Sequence, residues 1–390
     1  MGVAAARLSA QSQPKVKQSQ LWLRNRNWDL AFITMSVVLV PLPYLIYLII
    51  TNVTSIETDV ARNVINGFVA IAIGGPHMMS TFLRTRFDKD FSTRYPMLIR
   101  SSIIIPIVVI SLAFLNLNLL LTVFFFWAAM HVLHQVTYIV ELYNHKEHHF
   151  VRKGSAVTLQ ARIIDYAVIL TCLFPFAALK ISTGSFDIGT NDLARVIPGF
   201  FQQTWFFVAM SAMFGAALLA FIAKSVQEYR GGYLNTPKTV FILLTIAVAF
   251  TIPALDNLDT AFQGLNTWHS FQYLAITFYI IKIRQQVGTL DKTAPLVARF
   301  SKGKNSTGLF ILCTLMLVGS IAVFIITYAL AHLVTPGTVD LSVPGALANW
   351  RFDVAYYTSI LSFLWIHYYH DHFLFTNFEV LDDAYGSAKS

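Results

Sequence analysis

Residues 127–149 read WAAMHVLHQVTYIVELYNHKEHH, an apolar segment that carries five histidines and two glutamates and closes on a cluster of three imidazoles. So apolar a run predicts a buried helix, and on a helix residues three or four apart share a face. Three further stretches repeat the theme: GGPHMM around His77, NTWHSFQY around His269 and WIHYYHDH at 365–372. Ten of the eleven histidines fall in these four places.

The surrounding chain has 390 residues, a mean hydropathy of +0.59 and 12% charged residues. That is too apolar for a soluble domain of this length. Apolar runs of roughly 20 residues recur from Leu30 almost to the end, each long enough to cross a bilayer core of ~30 Å as a helix. The predicted spans are Leu30 to Ile50, Ala61 to Leu83, Ser101 to Leu115, Leu119 to Tyr143, Ile163 to Leu179, Gly199 to Ala223, Thr239 to Leu255, Thr260 to Ile281, Leu309 to Val334 and Val354 to Phe375. The expected architecture is therefore an all-α integral membrane protein, a polytopic bundle of about ten transmembrane helices with both termini cytoplasmic. Residues 1–28 read as a polar basic tail, 29–376 as one transmembrane domain holding the histidine-rich site, and 377–390 as an acidic tail. The first 28 residues lack an apolar signal-peptide core, so no cleaved leader is expected. Only the turn Asn116-Leu117-Asn118 separates spans three and four, and fusing them would invert everything downstream.

Charge supports ten spans. With both termini inside, 24 of the 28 Lys and Arg residues fall on the inner side, leaving Arg62, Lys180, Arg195 and Arg351 outside. Basic residues gather on the cytoplasmic side of membrane proteins, and a fused helix would scatter them. The net charge of +8 is distributed over short loops and forms no long patch, so no nucleic-acid partner is expected. Arg84, Arg86, Lys89 and Arg94 form a basic loop after His77, suited to anionic lipid or to docking an acidic electron donor. Cys172 and Cys313 sit inside apolar runs and read as packing residues.

In this topology spans two, four, eight and ten all run from the outer face to the inner one. They bring ten imidazoles to the inner half of the membrane; His332, at the outer end of span nine, is the exception. Ionisable groups within a membrane are costly and mark functional sites, and imidazole binds iron, copper, zinc and nickel. The candidate metal ligands are His77, His131, His134, His145, His148, His149, His269, His367, His370 and His372. Asp371, Glu141, Gln135 and Gln272 are candidates for bridging a metal or for holding a ligand's second ring nitrogen. Positions 131, 134, 138, 141, 145 and 148 make one helical stripe, on which Tyr138 and Glu141 join the histidines. A straight helix would place His131 and His148 ~25 Å apart. Two bridged metals sit only ~3.5–4 Å apart. One centre using both ends therefore requires a break near Asn144; otherwise some of these histidines only support the others.

His145-Lys146-Glu147-His148-His149 has the HxxHH form and resembles the histidine-rich, membrane-bound di-iron enzymes: fatty-acid desaturases, alkane hydroxylases, and sterol or fatty-acid hydroxylases. The resemblance covers the ligand-bearing helix ends. The leading box here is His131-Val132-Leu133-His134 where that group has HxxxH, and the closing box is HYYHDH at 367–372. The resemblance implies a non-haem oxidoreductase with two iron ions near the cytoplasmic face, taking electrons from a cytoplasmic donor. It would activate O2 to hydroxylate, desaturate or cleave a lipid-like substrate from the bilayer, in a bacterial inner membrane. Zinc, copper or haem are the other groups the histidines would serve. Two other functions remain open, a metal- or proton-coupled transporter and a b-type cytochrome.

Overall fold

The structure, a computed structural model, describes residues 17–151, 158–188, 191–256, 258–303, 305–337, 339, 342 and 345–376, the side chains of His149 and Phe150 excepted. Ten long helices carry the described chain. They are α1 (Arg26–Val53), α2 (58–84), α3 (Pro96–Leu115), α4 (Leu117–Lys146), α5 (Leu159–Ser182), α6 (Thr204–Arg230), α7 (Thr236–Ala254), α8 (Leu258–Val287), α9 (Thr307–Ala331) and α10 (Ala346–Leu374). Seven of them, α1, α3, α4, α5, α6, α7 and α9, are long and apolar enough to cross a membrane.

The other three are as long but more polar. They carry Asn66 and His77 on α2, Asp259, His269 and Gln272 on α8, and His367 and Asp371 on α10, all buried. The outside of the molecule is the reverse: Leu219, Val208, Leu315, Ile321 and Ile325 are each more than half exposed. An exterior of aliphatic side chains around a polar interior suits a hydrocarbon solvent, where buried polar groups find partners inside the bundle. The chain is a multi-pass membrane protein.

Local chemistry explains the helix ends. At Asn116 the backbone leaves the helical region (φ −159°, ψ 86°) and the side chain accepts a hydrogen bond from Leu119 N at 3.0 Å. This cap divides α3 from α4 where the sequence predicts a turn. Asn25, Thr158 and Asn235 cap α1, α5 and α7 in the same way. Pro41 and Pro43 fall where α1 passes from a 3-10 turn to its second half, since proline cannot continue the hydrogen-bond ladder. α6 starts and ends later than expected, at Thr204 rather than Gly199 and at Arg230 rather than Ala223, because 198–203 are taken up by turns before an extended Gln203.

The helix break near Asn144 that one centre using both ends of the stripe would require does not occur. α4 is continuous from Leu117 to Lys146 and widens into a π turn only at Glu147–Val151. Its Asn144 end is held by the first turn of α1 and the chain before it: Asp29 of α1 is fully buried and accepts from Leu23 N (2.6 Å), Arg24 N (3.1 Å) and Tyr143 Oη (2.9 Å), while Lys146 donates to the carbonyls of Trp22 and Leu23.

α4 and α8 form the centre of the bundle, buried along most of their length. The close approach of α8 to α1 depends on Gly264, where an added Cβ would stand 1.9 Å from the carbonyl oxygen of Val40 and 2.9 Å from its carbon. Backbone cannot yield as a flexible side chain can, so Gly264→Ala is expected to lower stability by ~1–3 kcal/mol. A thermal melt in detergent checks this, and an unchanged midpoint would show that α1 is free to shift.

Candidate metal centre

Four helices each supply one fully buried histidine: His77 from α2, His131 from α4, His269 from α8 and His367 from α10. One ring nitrogen from each lies within 4.8 Å of the others. The rings meet edge to face, with centroids 4.7 Å apart for His77 and His269, 4.3 Å for His77 and His367, and 4.8 Å for His131 and His367. His77 Nε2 and His269 Nε2 are 3.2 Å apart. Two nitrogens bound at ~2.0–2.1 Å to one tetrahedral ion would stand about 3.3 Å apart, so the spacing fits a shared cation.

The local sequence explains how His77 reaches this point. Pro76 has no N–H to give to the preceding turn, and α2 accommodates it with a π turn at Ala70–Gly74. Gly75 then permits a tight approach to α9, because a Cβ there would meet Leu317 Cδ2 at 2.6 Å.

A carboxylate completes the group. Asp371, four residues after His367 and so on the same face of α10, places Oδ2 3.5 Å from His367 Nδ1 and 3.9 Å from His131 Nε2. Its Oδ1 accepts from Tyr273 Oη at 2.7 Å and Thr81 Oγ1 at 2.9 Å. Thr81 Oγ1 is also 2.5 Å from His367 Nδ1, so one hydroxyl ties a ring and the carboxylate together. Arg84, read from the sequence as a cytoplasmic anchor, is instead 6% exposed and turns inward, where it hydrogen-bonds Tyr138. Gln135 donates to the His269 carbonyl at 3.1 Å and faces Gln272, which in turn donates to Ile33 O.

Several of these polar atoms lack partners. His131 Nε2, His367 Nε2 and Asp371 Oδ2 are buried without a hydrogen bond, as are Nδ1 of His77 and of His269. Each orphaned buried polar atom costs ~1–3 kcal/mol. Of these, His131 Nε2, His367 Nε2 and Asp371 Oδ2 gather at the four-histidine group, where a cation rather than another side chain can be their partner.

The other expected ligands lie elsewhere. His370 has both ring nitrogens occupied, Nε2 by Ser102 Oγ at 2.7 Å and Nδ1 by Thr85 Oγ1 at 3.1 Å. His134 is half-buried and faces the exposed His372 (centroids 5.5 Å), with Phe375 packed against both His134 and His131. Because α4 does not break, His145 and His148 stand ~21 and ~25 Å along its axis from His131 and are not part of the four-histidine group. The side chain of His149 lies outside the described residues. Glu141 is committed to a two-pronged ion pair with Arg162 at 3.0 Å and accepts from Asn144 Nδ2.

Comparison with protein-family models, with curated proteins and with solved structures finds no match. The site has to be read from its own geometry. Beside it lies a cavity of about 420 Å³ with a largely apolar wall that includes Phe124, Phe262, Leu317, Ile321 and Leu364. Tyr368 belongs to that wall, and its ring stacks on His131 at 4.1 Å. Thr81 and Tyr368 were not singled out in the sequence, although Thr81 stands four residues after His77 and so shares its face.

Proposed function

We propose that the chain is a membrane oxidoreductase that holds one redox-active metal ion, iron, between His77, His131, His269 and His367, and oxidises with O2 a hydrophobic substrate drawn from the bilayer. The observation that carries this reading is the juxtaposition of four buried imidazole nitrogens within 4.8 Å of one another with an apolar cavity one ring away. Four imidazoles are a donor set that iron, copper and zinc all accept. The apolar wall indicates a substrate with little polar surface, for which oxygen chemistry is more apt than hydrolysis. One compact group is a donor set for a single ion, so the proposal departs from the two irons implied by the HxxHH resemblance.

Each residue has a role in this reading. The four imidazoles would hold the ion, which when bound supplies the redox chemistry. Asp371 would fix the tautomer and orientation of His367 and His131, steadied by Thr81 and Tyr273. Tyr368, stacked on the His131 ring, would form the wall that brings the substrate up to the centre, and the surrounding side chains exclude water. A b-type haem needs a flat space between axial ligands, whereas these rings pack against one another at 4.3–5.0 Å. A transport path would need polar walls, and this cavity is mainly apolar. An inner-membrane location with cytoplasmic termini and a cytoplasmic electron donor belong to the same proposal.

Metal analysis of the purified protein, with an absorption spectrum, tests it. About one iron per chain and no Soret band is the expected result. A Soret band would select the cytochrome, and stoichiometric zinc without iron would end the redox reading.

A further inference from the structure

The cavity beside the metal centre has a built polar end, and we propose that it binds an amphiphilic alcohol, hydroxyl at Asn66 and Asp259, with the far end of its apolar body at the four histidines. The inference rests on the reading of the centre above for what happens at that far end.

Three helices give the same length. Asn66 stands eleven residues before His77 on α2, Asp259 ten before His269 on α8, and Tyr357 ten before His367 on α10. Each interval corresponds to ~15 Å of helix. Asn66, Asp259 and Tyr357 all line the cavity at one end, and Tyr368, stacked on His131, lines it at the other. The cavity thus runs from a polar cluster to the centre over a distance that suits a long chain or a fused-ring body. Ile71 and Ile321, 66% and 57% exposed, belong both to its wall and to the outer surface, so it opens sideways to lipid.

The polar end selects the head group. Asn66 is 5% exposed; its Nδ2 donates to Asp259 Oδ2 at 3.1 Å, and its Oδ1 has no partner. Arg62 Nε stands 3.4 Å from the same Asp259 oxygen, and Asp259 Oδ1 accepts from Thr260 N at 2.8 Å. The end therefore offers a vacant acceptor, which asks for a donor. Arg62, which also pairs with Asp59 at 3.0 Å, already neutralises Asp259, so an ammonium would have to compete with an ion pair in place, and a carboxylate would meet the acidic groups. A neutral hydroxyl satisfies Asn66 Oδ1 without either conflict.

The test uses the full-length protein in detergent with a long-chain primary alcohol carrying a diazirine at its far end, compared with its methyl ether. Wild type is expected to be labelled by the alcohol at concentrations at least about tenfold lower than by the ether, the value of one buried hydrogen bond. The label should map to peptides containing Tyr368 or His131. Asn66→Leu should erase the preference while keeping ether labelling. Gly67→Trp should reduce both, because its Cβ meets nothing within 4 Å and the indole would enter the cavity. Equal labelling by alcohol and ether in wild type, or label elsewhere in the chain, overturns the inference. His269→Ala separates the two readings: preference retained with metal lost supports both, whereas metal bound without any preference in wild type leaves the centre standing and sinks the head-group site.

Discussion

His269→Ala is expected to purify with less than about a tenth of the wild-type metal, while His148→Ala keeps all of it. Even groups that only orient a ligand change metal affinity ~10–100-fold, so loss of a ligand itself should do more. His269 is the informative choice because its ring touches those of His77 and His131 and its Nε2 sits 3.2 Å from His77 Nε2. Folding supplies an independent readout. An ion that binds only the folded form at a hundred times its dissociation constant adds ~2.7 kcal/mol of stability. Wild type should therefore melt higher when metal is added, and His269→Ala should not. The alanine itself leaves a small cavity but also removes a buried ring nitrogen that has no hydrogen bond, so metal-free melting should differ little. If His148→Ala lost the metal and His269→Ala retained it, the centre would lie at the HxxHH end of α4 and the four-histidine assignment would be wrong.

That contrast also shows what the sequence could convey. Each of the ten apolar runs falls on a long helix, and seven of those helices are long and apolar enough to cross a membrane, because hydrophobicity over about 20 residues is a local property. The placement of the histidines, not hydropathy, pointed to the four helices that bear the centre. What it could not convey is which end of α4 matters. HxxHH draws attention by its spacing, but depth along a continuous helix is set by the absence of a break at Asn144, and there the caps come from Asp29, Trp22 and Leu23, more than a hundred residues away in the chain. Spacing at i, i+3 was too coarse as well. Of His131 and His134 only the first enters the centre, and of His367 and His370 only the first, since three residues leave ~60° between side chains, enough for Phe375 or Ser102 to intervene. The lone histidines His77 and His269 both belong to the group, and nothing within their own helices distinguishes them from satisfied core residues. Their pairing spans 192 positions.

Burial of charged side chains was hidden for the same reason. Lys224 and Lys238, expected between the sixth and seventh spans, are both buried and converge on Asp165, which is fully buried on α5. Lys224 Nζ of α6 is 2.5 Å from Oδ1, and Lys238 Nζ of α7 is 3.2 Å from Oδ2, an ion pair without hydrogen-bond alignment. Lys238 also donates to Asn144 Oδ1 of α4 at 2.9 Å, and Lys224 lies 3.4 Å from Glu228. Asp165→Leu would leave two ammonium groups facing an apolar side chain, and breaking a buried pair in this way costs ~3–5 kcal/mol. The expected result is a fall of many degrees in the melting midpoint in detergent, or no folded protein at all. Lys224→Met should cost less, because Asp165 keeps Lys238. The triple variant Asp165→Leu, Lys224→Met, Lys238→Met should recover much of the loss, since isosteric apolar groups remove the desolvation penalty along with the attraction. Recovery would mean that the charges hold α5, α6 and α7 in register without being required for stability. An Asp165→Leu midpoint equal to wild type would mean that water reaches the three charges and that this end of the bundle is open.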